Sequence, residues 1–327
     1  MTVIFPKIKK QKIVKPLGST SPWAWIIEPT HGCNLSCGHC SCRLDKKGIY
    51  DFMKEETWIK TWNIIAKLTP TCRVDLALGG EPTLNKNLLE FLKIAKEIAP
   101  LSQIQVTTNG TMIKKKVVSY KNLLGAGANI IYTDMYESKN EFIEKAKESG
   151  YPWYEYYNAP DNAPSPWSYV GPDFKLIVLQ EQPENWPKSR LRAGLLGTWY
   201  NHLDWKAAEK FNLFPVVTPP TRRCNQPFLY VPVDSHGNYV LCCMDNTGET
   251  SGMFGSVYDG IDGFKRYWYG KEMQIIRQQL RQKNRNNISQ CSRCAFTASR
   301  CDLKHWSDSE VSKYWNGSAW QMIKNTI

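Results

Sequence analysis

The feature that most constrains the fold is an alternation of short apolar runs with longer segments of helical period along the first two thirds of the chain. Apolar strands joined by helices predict a parallel sheet that helices cover. The candidate strands are 24–28, 74–78, 105–108, 129–133, 175–179 and 214–217, and the candidate helices are 54–68, 88–98, 113–124 and 139–148. We therefore expect an α/β fold built as a partial (β/α)6 barrel.

The alternation stops near Pro219, and six of the eleven cysteines follow it. A chain of 327 residues exceeds what one ordinary core organises, so a large α/β domain with a smaller appendage is expected. We predict a basic N-terminal tail over 1–16, the barrel over 17–218, and a small cysteine-rich α+β domain over 219–327. In this last domain, Gly237 and Asn238 predict a hairpin turn between strands 229–233 and 239–243.

Polar residues and glycines follow the candidate strands where each strand ends. The carboxyl ends of parallel strands meet at one mouth, which is where barrel proteins place functional groups. The first strand leads to Cys33, Cys37 and Cys40; the second to Gly79, Gly80, Glu81 and Pro82; the third to Thr108 and Asn109; and the fourth to Asp134. We expect these residues to form one site.

Cys33, Cys37 and Cys40 have the spacing Cys-x3-Cys-x2-Cys. A [4Fe–4S] cluster takes four protein thiolates, so three in one loop leave one iron open for another ligand. A zinc site is the alternative, with Cys42 as the fourth ligand. The basic N-terminus has no apolar signal region and no run approaches the length of a membrane span, which predicts a cytoplasmic protein whose thiols bind metal instead of forming disulfides.

These motifs, in this order, resemble those of the radical SAM enzymes. The resemblance implies that the open iron binds S-adenosylmethionine (SAM) and that a flavodoxin- or ferredoxin-like protein supplies one electron. SAM then cleaves to a 5′-deoxyadenosyl radical that abstracts hydrogen. The SAM-binding residues implied are Gly79, Gly80, Glu81 and Pro82 for the amino group, and Thr108, Asn109 and Asp134 for the carboxylate or ribose. Arg192, with Arg190, is a candidate clamp for a carboxylate or phosphate, or a solvated surface residue.

The cysteines after Pro219 resemble the auxiliary-cluster modules called SPASM and twitch. Cys224, Cys242, Cys291 and Cys294 would hold a second [4Fe–4S] cluster, in the spacing Cys-x12-Gly-x4-Cys followed by Cys-x2-Cys. The full SPASM pattern needs more cysteines, so the spacing is most similar to the one-cluster twitch form of the 2-deoxy-scyllo-inosamine dehydrogenases. A zinc ribbon with the same four ligands is the alternative.

Cys243 and Cys301 lie beside the proposed auxiliary ligands and are candidate hydrogen donors to a substrate radical, although a buried thiol is the commoner outcome. The segment 151–174 is rich in Trp and Tyr, which predicts either a base-stacking loop or an aromatic satellite core. A net charge of +12 suggests an anionic substrate or nucleic acid, or only solvated helix faces.

The predicted function is hydrogen abstraction from a small metabolite such as a sugar, cyclitol or amino acid, with dehydrogenation, epimerisation or isomerisation as the outcome. Modification of a nucleotide or of a base in nucleic acid is an alternative. Ribosomal-peptide modification is a further alternative, disfavoured because 32 residues before Cys33 and 26 after Cys301 leave no room for a recognition domain. A non-enzymatic iron–sulfur or zinc module that binds nucleic acid is the remaining alternative, and no membrane partner is expected.

Overall fold

A computed structural model of the chain describes residues 21–35, 49–136, 138–160, 163–164, 166, 169–181, 224, 226–243, 245, 248, 250–288 and 291. Across these residues, no helix has both the length and the apolar character needed to cross a bilayer.

The main element is a parallel sheet of seven strands in the order β7-β8-β6-β5-β4-β1-β9. Its strands are β1 (Ala24–Ile27), β4 (Arg73–Leu76), β5 (Gln103–Thr108), β6 (Ile130–Met135), β7 (Trp153–Glu155), β8 (Leu176–Glu181) and β9 (Tyr230–Val233). A separate two-stranded antiparallel ribbon pairs β2 (Thr30–His31) with β3 (Asp51–Phe52). The α/β class and the parallel sheet predicted from the sequence are confirmed.

The helices are α1 (Glu55–Leu68), α2 (Leu88–Ile98), α3 (Thr111–Lys114), α4 (Tyr120–Ala126), α5 (Lys139–Glu148), α6 (Gln226–Leu229), α7 (Gly260–Tyr269) and α8 (Lys271–Arg281). Short 3-10 turns cover Pro82–Leu84, Tyr156–Asn158, Val257–Asp259 and Arg285–Asn287. Apolar side chains of α1, α2, α4 and α7 form one core with alternate residues of the strands, such as Trp25, Val74 and Ile104. The intervening residues lie on the opposite face of the sheet, which we call the inner face.

Five of the six predicted strands are present, and each of their ends lies within two residues of the predicted bound. The sixth, 214–217, lies outside the described residues. The predicted helix 113–124 is wrong as a single element, because Lys116 adopts a left-handed φ of 60° and Ser119 caps a new helix by accepting a hydrogen bond from the Asn122 amide. The segment 151–174, predicted as either a base-stacking loop or an aromatic satellite core, contributes β7 to the edge of the sheet. Its Tyr154, Tyr156 and Phe174 pack in a small separate core with side chains of β6 and β8.

The hairpin turn at Gly237 and Asn238 is confirmed, since Val233 and Tyr239 form an antiparallel bridge. Its first strand, however, is not confined to a separate cysteine-bearing module as predicted, because β9 pairs in parallel with β1 in the main sheet. Short strands of this kind show no sequence signal for their partner. The predicted domain boundaries themselves stay predictions.

Candidate functional site

Glu28 joins three loops at the carboxyl ends of the strands. It follows β1 directly, is 2% exposed, and its Oε1 accepts a hydrogen bond from the Gly79 amide at 2.8 Å and lies 2.9 Å from Nδ1 of His31. Its Oε2 accepts from the Ser235 amide at 3.0 Å, beyond the end of β9. Glu28 was not among the predicted site residues, although an acid directly after a buried strand is a visible signal in the sequence.

The backbone of the Gly-Gly-Glu-Pro loop pairs with the loop that leads to Cys33. The Gly32 amide donates to the Gly79 carbonyl at 3.1 Å, and the Glu81 amide donates to the Gly32 carbonyl at 3.0 Å. A Cβ atom at Gly80 would lie 1.9 Å from the Thr30 carbonyl oxygen. This close approach requires glycine at position 80, because any side chain would push the two loops apart.

The Glu81 carboxylate is buried and binds groups of the chain itself. Oε1 accepts from the amide of Thr83 at 3.0 Å, from its hydroxyl at 2.5 Å, and from the Thr108 hydroxyl at 2.7 Å. Oε2 accepts from the Asn109 amide at 2.7 Å. Burial raises the pKa of Glu81, and these hydrogen bonds act in the opposite direction. Glu81 thus ties its loop to the end of β5, and its predicted contact with the SAM amino group stays a prediction.

The two residues predicted at the end of β5 point to different sides. Thr108 shares the core-facing side of the strand with Ile104 and Val106 and, besides donating to Glu81, accepts from the Gly110 amide at 3.0 Å. Asn109 continues the inner-face series of Gln105 and Thr107 and reaches the cysteine loop. Its Nδ2 atom lies 3.4 Å from Cys33 Sγ and 3.0 Å from Asn34 Oδ1.

Cys33 is half-buried beside two N–H donors, the Asn109 side chain and the Leu35 amide, each 3.4 Å from its sulfur. Donors of this kind stabilise a thiolate, which is the form that ligates metal. The environment of Cys33 therefore fits a cluster ligand. Cys37 and Cys40, its predicted partners, lie outside the described residues.

The inner face below this site carries several polar side chains that were not predicted as site residues. The Gln105 amide nitrogen lies 3.3 Å from the Thr107 hydroxyl, and the Tyr132 hydroxyl donates to Gln180. Gln105 is fully buried, and its Oε1 atom has no hydrogen-bond partner among the described residues. Asp134, predicted as a SAM contact, lies on the same face, opposite Gln180 in the register. These groups give the inner face a partly polar character beneath the site.

Two family models match the chain. The radical SAM superfamily model matches residues 27–164, which hold Cys33, the Gly-Gly-Glu-Pro loop and Asn109. The SPASM model, an iron–sulfur cluster-binding domain, matches residues 224–295. The predicted resemblance of the chain to radical SAM enzymes with a C-terminal SPASM-like domain is confirmed.

Among curated relatives, a 7,8-dihydro-6-hydroxymethylpterin dimethyltransferase of Methanocaldococcus jannaschii is 36% identical over 108 residues, 32% of this chain and 21% of that protein. A probable GTP 3′,8-cyclase of Saccharolobus islandicus is 28% identical over 121 residues, 36% of each chain. The chain therefore spans about a fifth to a third of the length of these relatives. A crystal structure of BtrN in complex with AdoMet and 2-DOIA has a TM-score of 0.58 at 17% identity, covering 84% of this chain and 92% of that one, and shares the fold.

The cofactors of these two domains are those predicted from the sequence, namely a [4Fe–4S] cluster with SAM and an auxiliary iron–sulfur cluster. Within the described residues, no three His, Cys, Asp or Glu side chains lie close enough together to hold a metal ion. Five of the predicted site residues lie outside the described residues, namely Cys37, Cys40, Arg192, Cys294 and Cys301. The identity of the individual ligands accordingly stays a prediction.

The described part of the SPASM region brings two of the predicted auxiliary ligands into one neighbourhood. The Cys243 thiol, next to Cys242, donates to Gln226 Oε1 at 3.1 Å, and Gln226 lies two residues after Cys224. Cys224 belongs to the main core, and Cys242 and Cys291 pack against it. Gln226 precedes β9, so this neighbourhood lies at the opposite end of the strand from Glu28 and Cys33. That position gives no support to the predicted role of Cys243 as a hydrogen donor at the mouth.

Proposed function

We propose that this chain is an enzyme that cleaves SAM reductively to a 5′-deoxyadenosyl radical and uses it to abstract hydrogen from an unactivated C–H bond of a small polar metabolite. The observation that carries the proposal is the hydrogen-bonded connection from Cys33 through Asn109 to Glu81. It joins the first cysteine of the triplet to the Gly-Gly-Glu-Pro loop at one end of a parallel sheet. If the Gly-Gly-Glu-Pro segment formed only a tight turn, or if Cys33 were an isolated thiol, the two would not need to be connected in this way.

The residues of the site hold its loops in fixed relation. Glu28 fixes the start of the cysteine loop against Gly79, and the glycine at position 80 lets the two backbones pair. Glu81 fixes that pair to β5. Such preorganisation keeps the reacting groups positioned and limits the access of water.

The polar side chains of the inner face favour a small polar molecule as the substrate. Gln105, Thr107, Tyr132 and Gln180 place amide and hydroxyl groups on the strands that lead to the site. A hydroxyl or amino group of a sugar, cyclitol or amino acid would pair with the partly exposed Thr107 and Gln180 side chains of this face. Dehydrogenation, epimerisation and isomerisation are the outcomes proposed, with a flavodoxin- or ferredoxin-like protein as electron donor.

The test is anaerobic reconstitution of the full chain with iron and sulfide, followed by iron counting and an assay for 5′-deoxyadenosine after dithionite and SAM are added. We expect about eight irons in the wild type, about four in a Cys33/Cys37/Cys40→Ala variant, and deoxyadenosine only from the wild type. Cys72→Ala is the matched control, because burial raises the pKa of the Cys72 thiol to about 12 and leaves it un-ionised. Zinc in place of iron, or no deoxyadenosine from a loaded protein, contradicts the proposal.

A nucleotide is the second candidate substrate, favoured by the similarity to the probable GTP 3′,8-cyclase and by the net charge of +12. An excess of basic residues attracts phosphate groups over long distances. If the substrate is a nucleotide, GTP added to the loaded enzyme raises the rate of deoxyadenosine formation, whereas unphosphorylated sugars and cyclitols do not. If the substrate is a base in nucleic acid, the protein is retained on DNA or RNA at low salt and released as salt increases.

A further inference from the structure

The orientation of the Asn109 carboxamide is determined by its neighbours. Its Oδ1 atom lies 2.9 Å from the Thr111 amide nitrogen and 2.6 Å from the Thr111 hydroxyl. Because a backbone amide can only donate, the oxygen of the carboxamide must face Thr111 and the NH2 group must face Cys33 and Asn34. The N–H group directed at the Cys33 sulfur is therefore assigned by the hydrogen-bond network.

All the hydrogen-bonding groups of this side chain are used within the protein. Oδ1 accepts two hydrogen bonds, and Nδ2 donates one to Cys33 Sγ and one to Asn34 Oδ1. The backbone of Asn109 is fixed as well, since its amide donates to the buried Glu81 carboxylate at 2.7 Å. This arrangement differs from the predicted contact of Asn109 with SAM, which would need one of these groups.

We propose that Asn109 is a positioning residue that donates an N–H···S hydrogen bond to the thiolate of Cys33 and thereby raises the reduction potential of the SAM-binding cluster. The inference rests on the proposed function in one respect, that Cys33 ligates this cluster. A donor to a ligating sulfur stabilises the reduced cluster more than the oxidised one, because reduction adds negative charge to the cluster and its sulfurs. Since the donor is on the end of a buried strand, its distance from the sulfur is set by the sheet.

The test is a redox titration of the reconstituted full chain, followed by EPR without SAM, on the wild type, Asn109→Ala and Asn109→Asp. The SAM-binding cluster is identified as the signal that SAM changes. Asn109→Ala removes the N–H donor. In this variant we expect the equilibrium of the SAM-binding cluster to shift about tenfold toward the oxidised form, which lowers its reduction potential by about 59 mV for one electron. Asn109→Asp retains the acceptor for Thr111 but places an oxygen against the sulfur, so its shift has the same sign and is larger.

Thr111→Val is the matched control, because it removes one hydrogen bond to Oδ1 while leaving the Thr111 amide and the N–H···S donor in place. Its potential should equal that of the wild type. Iron content and melting temperature are measured for each variant. If the Asn109 variants do not load, an Asn34→Ser protein labelled with 15N in its asparagine side chains should show 15N coupling to the reduced cluster, and no coupling overturns the inference.

The outcomes separate this inference from the proposed function. A protein that binds zinc or makes no deoxyadenosine contradicts the proposed function. A loaded, active wild type whose Asn109→Ala variant keeps the wild-type potential overturns only the role of Asn109. Unchanged potential together with weaker SAM binding would assign Asn109 to SAM instead, as the sequence predicted, and would also overturn the inference.

Discussion

Single residues at the strand ends determine how closely the loops of the site approach one another. At Gly80 the neighbouring chain is so near that a methyl group would overlap the Thr30 carbonyl oxygen. At Glu28 one carboxylate serves donors from three separate loops. Both residues hold the loops in place, so their loss should appear first as lost stability and lost iron loading.

Gly80→Ala should lower the free energy of unfolding by about 3 kcal/mol, because the added methyl group forces the paired backbones apart. Gly125→Ala is the control: Gly125 lies in α4 with open space around its Cα, so alanine there should raise the free energy by about 0.5–1 kcal/mol. Urea unfolding of the unloaded proteins measures both. Equal stabilities for the two variants would contradict the close approach at Gly80.

Glu28→Gln should lower the free energy of unfolding by about 1–3 kcal/mol. The NH2 group of the glutamine must face at least one N–H donor that now donates a hydrogen bond to the carboxylate. The variant should also bind less iron on reconstitution, since Gly79 and His31 flank the path to Cys33. Glu56→Gln is the matched control, as Glu56 is 67% exposed and its ion pair with Lys60 contributes little. A Glu28→Gln protein as stable as the control would show that the three-loop connection is not needed.

The sequence predicted which residues gather at the strand ends but not which way each one points. Gly80, Glu81 and Asn109 were expected at one mouth because the ends of parallel strands converge. The side chains of the neighbouring residues Thr107 and Thr108, however, point to opposite faces of the sheet. Only the register of β5 places Thr108 against Glu81 and Thr107 on the inner face. Contacts between loops distant in sequence carry no local pattern, so the position of Glu28 after β1 did not indicate its partners Gly79 and Ser235.

At the scale of elements, the positions of the helices and of most strands were predicted, but the sheet partners of the short strands β7 and β9 were not. Helix α2 has the predicted bounds, since eleven residues of helical period give a strong signal. Strands β7 and β9 have three and four residues, and their place in the sheet depends on partners far along the chain. Tertiary pairing decides the place of such segments, which is why the pairing of β9 with β1 was not predicted.

Helix α2 is also joined to the base of the sheet by a lysine with an altered pKa. Lys96 Nζ donates to the carbonyl oxygens of Pro100 and Ser102 at 3.0 and 2.8 Å, and burial, with the charge of Lys175, lowers its pKa to about 8. Between about pH 8 and 10.5 the unfolded chain therefore binds more protons at this position than the folded chain. Through Lys96, the free energy of unfolding should rise as the pH rises across this window.

Replacing Lys96 by Met should reduce the gain in unfolding free energy between pH 8 and pH 10 relative to the wild type. Lys93→Met, on the exposed side of the same helix, is the control and should keep the wild-type gain, because Lys93 is 58% exposed. Urea titrations at the two pH values give the comparison. An unchanged gain in Lys96→Met would contradict the lowered pKa of Lys96.

At the scale of the whole molecule, the described parts of the two matched domains share one core. Phe264 of α7 stacks on Trp25 of β1 with ring centroids 5.3 Å apart, and Tyr258 hydrogen-bonds with Thr57 of α1 at 2.7 Å. Strand β9 adds a backbone connection to β1. The sequence predicted two domains from a change of pattern, yet such a pattern does not report how much surface the parts bury against each other.

A shared core predicts that the sheet and the helices after β9 lose structure together. Phe264 is 1% exposed, so Phe264→Ala should cost about 3–5 kcal/mol of unfolding free energy. Because Phe264 packs directly on Trp25, hydrogen exchange should show protection falling by the same free energy in β1 and in α7. Phe52→Ala, at a 46% exposed position on β3, should change neither. Faster exchange confined to 257–281, with β1 unchanged, would instead show that the region after β9 opens as an independent unit.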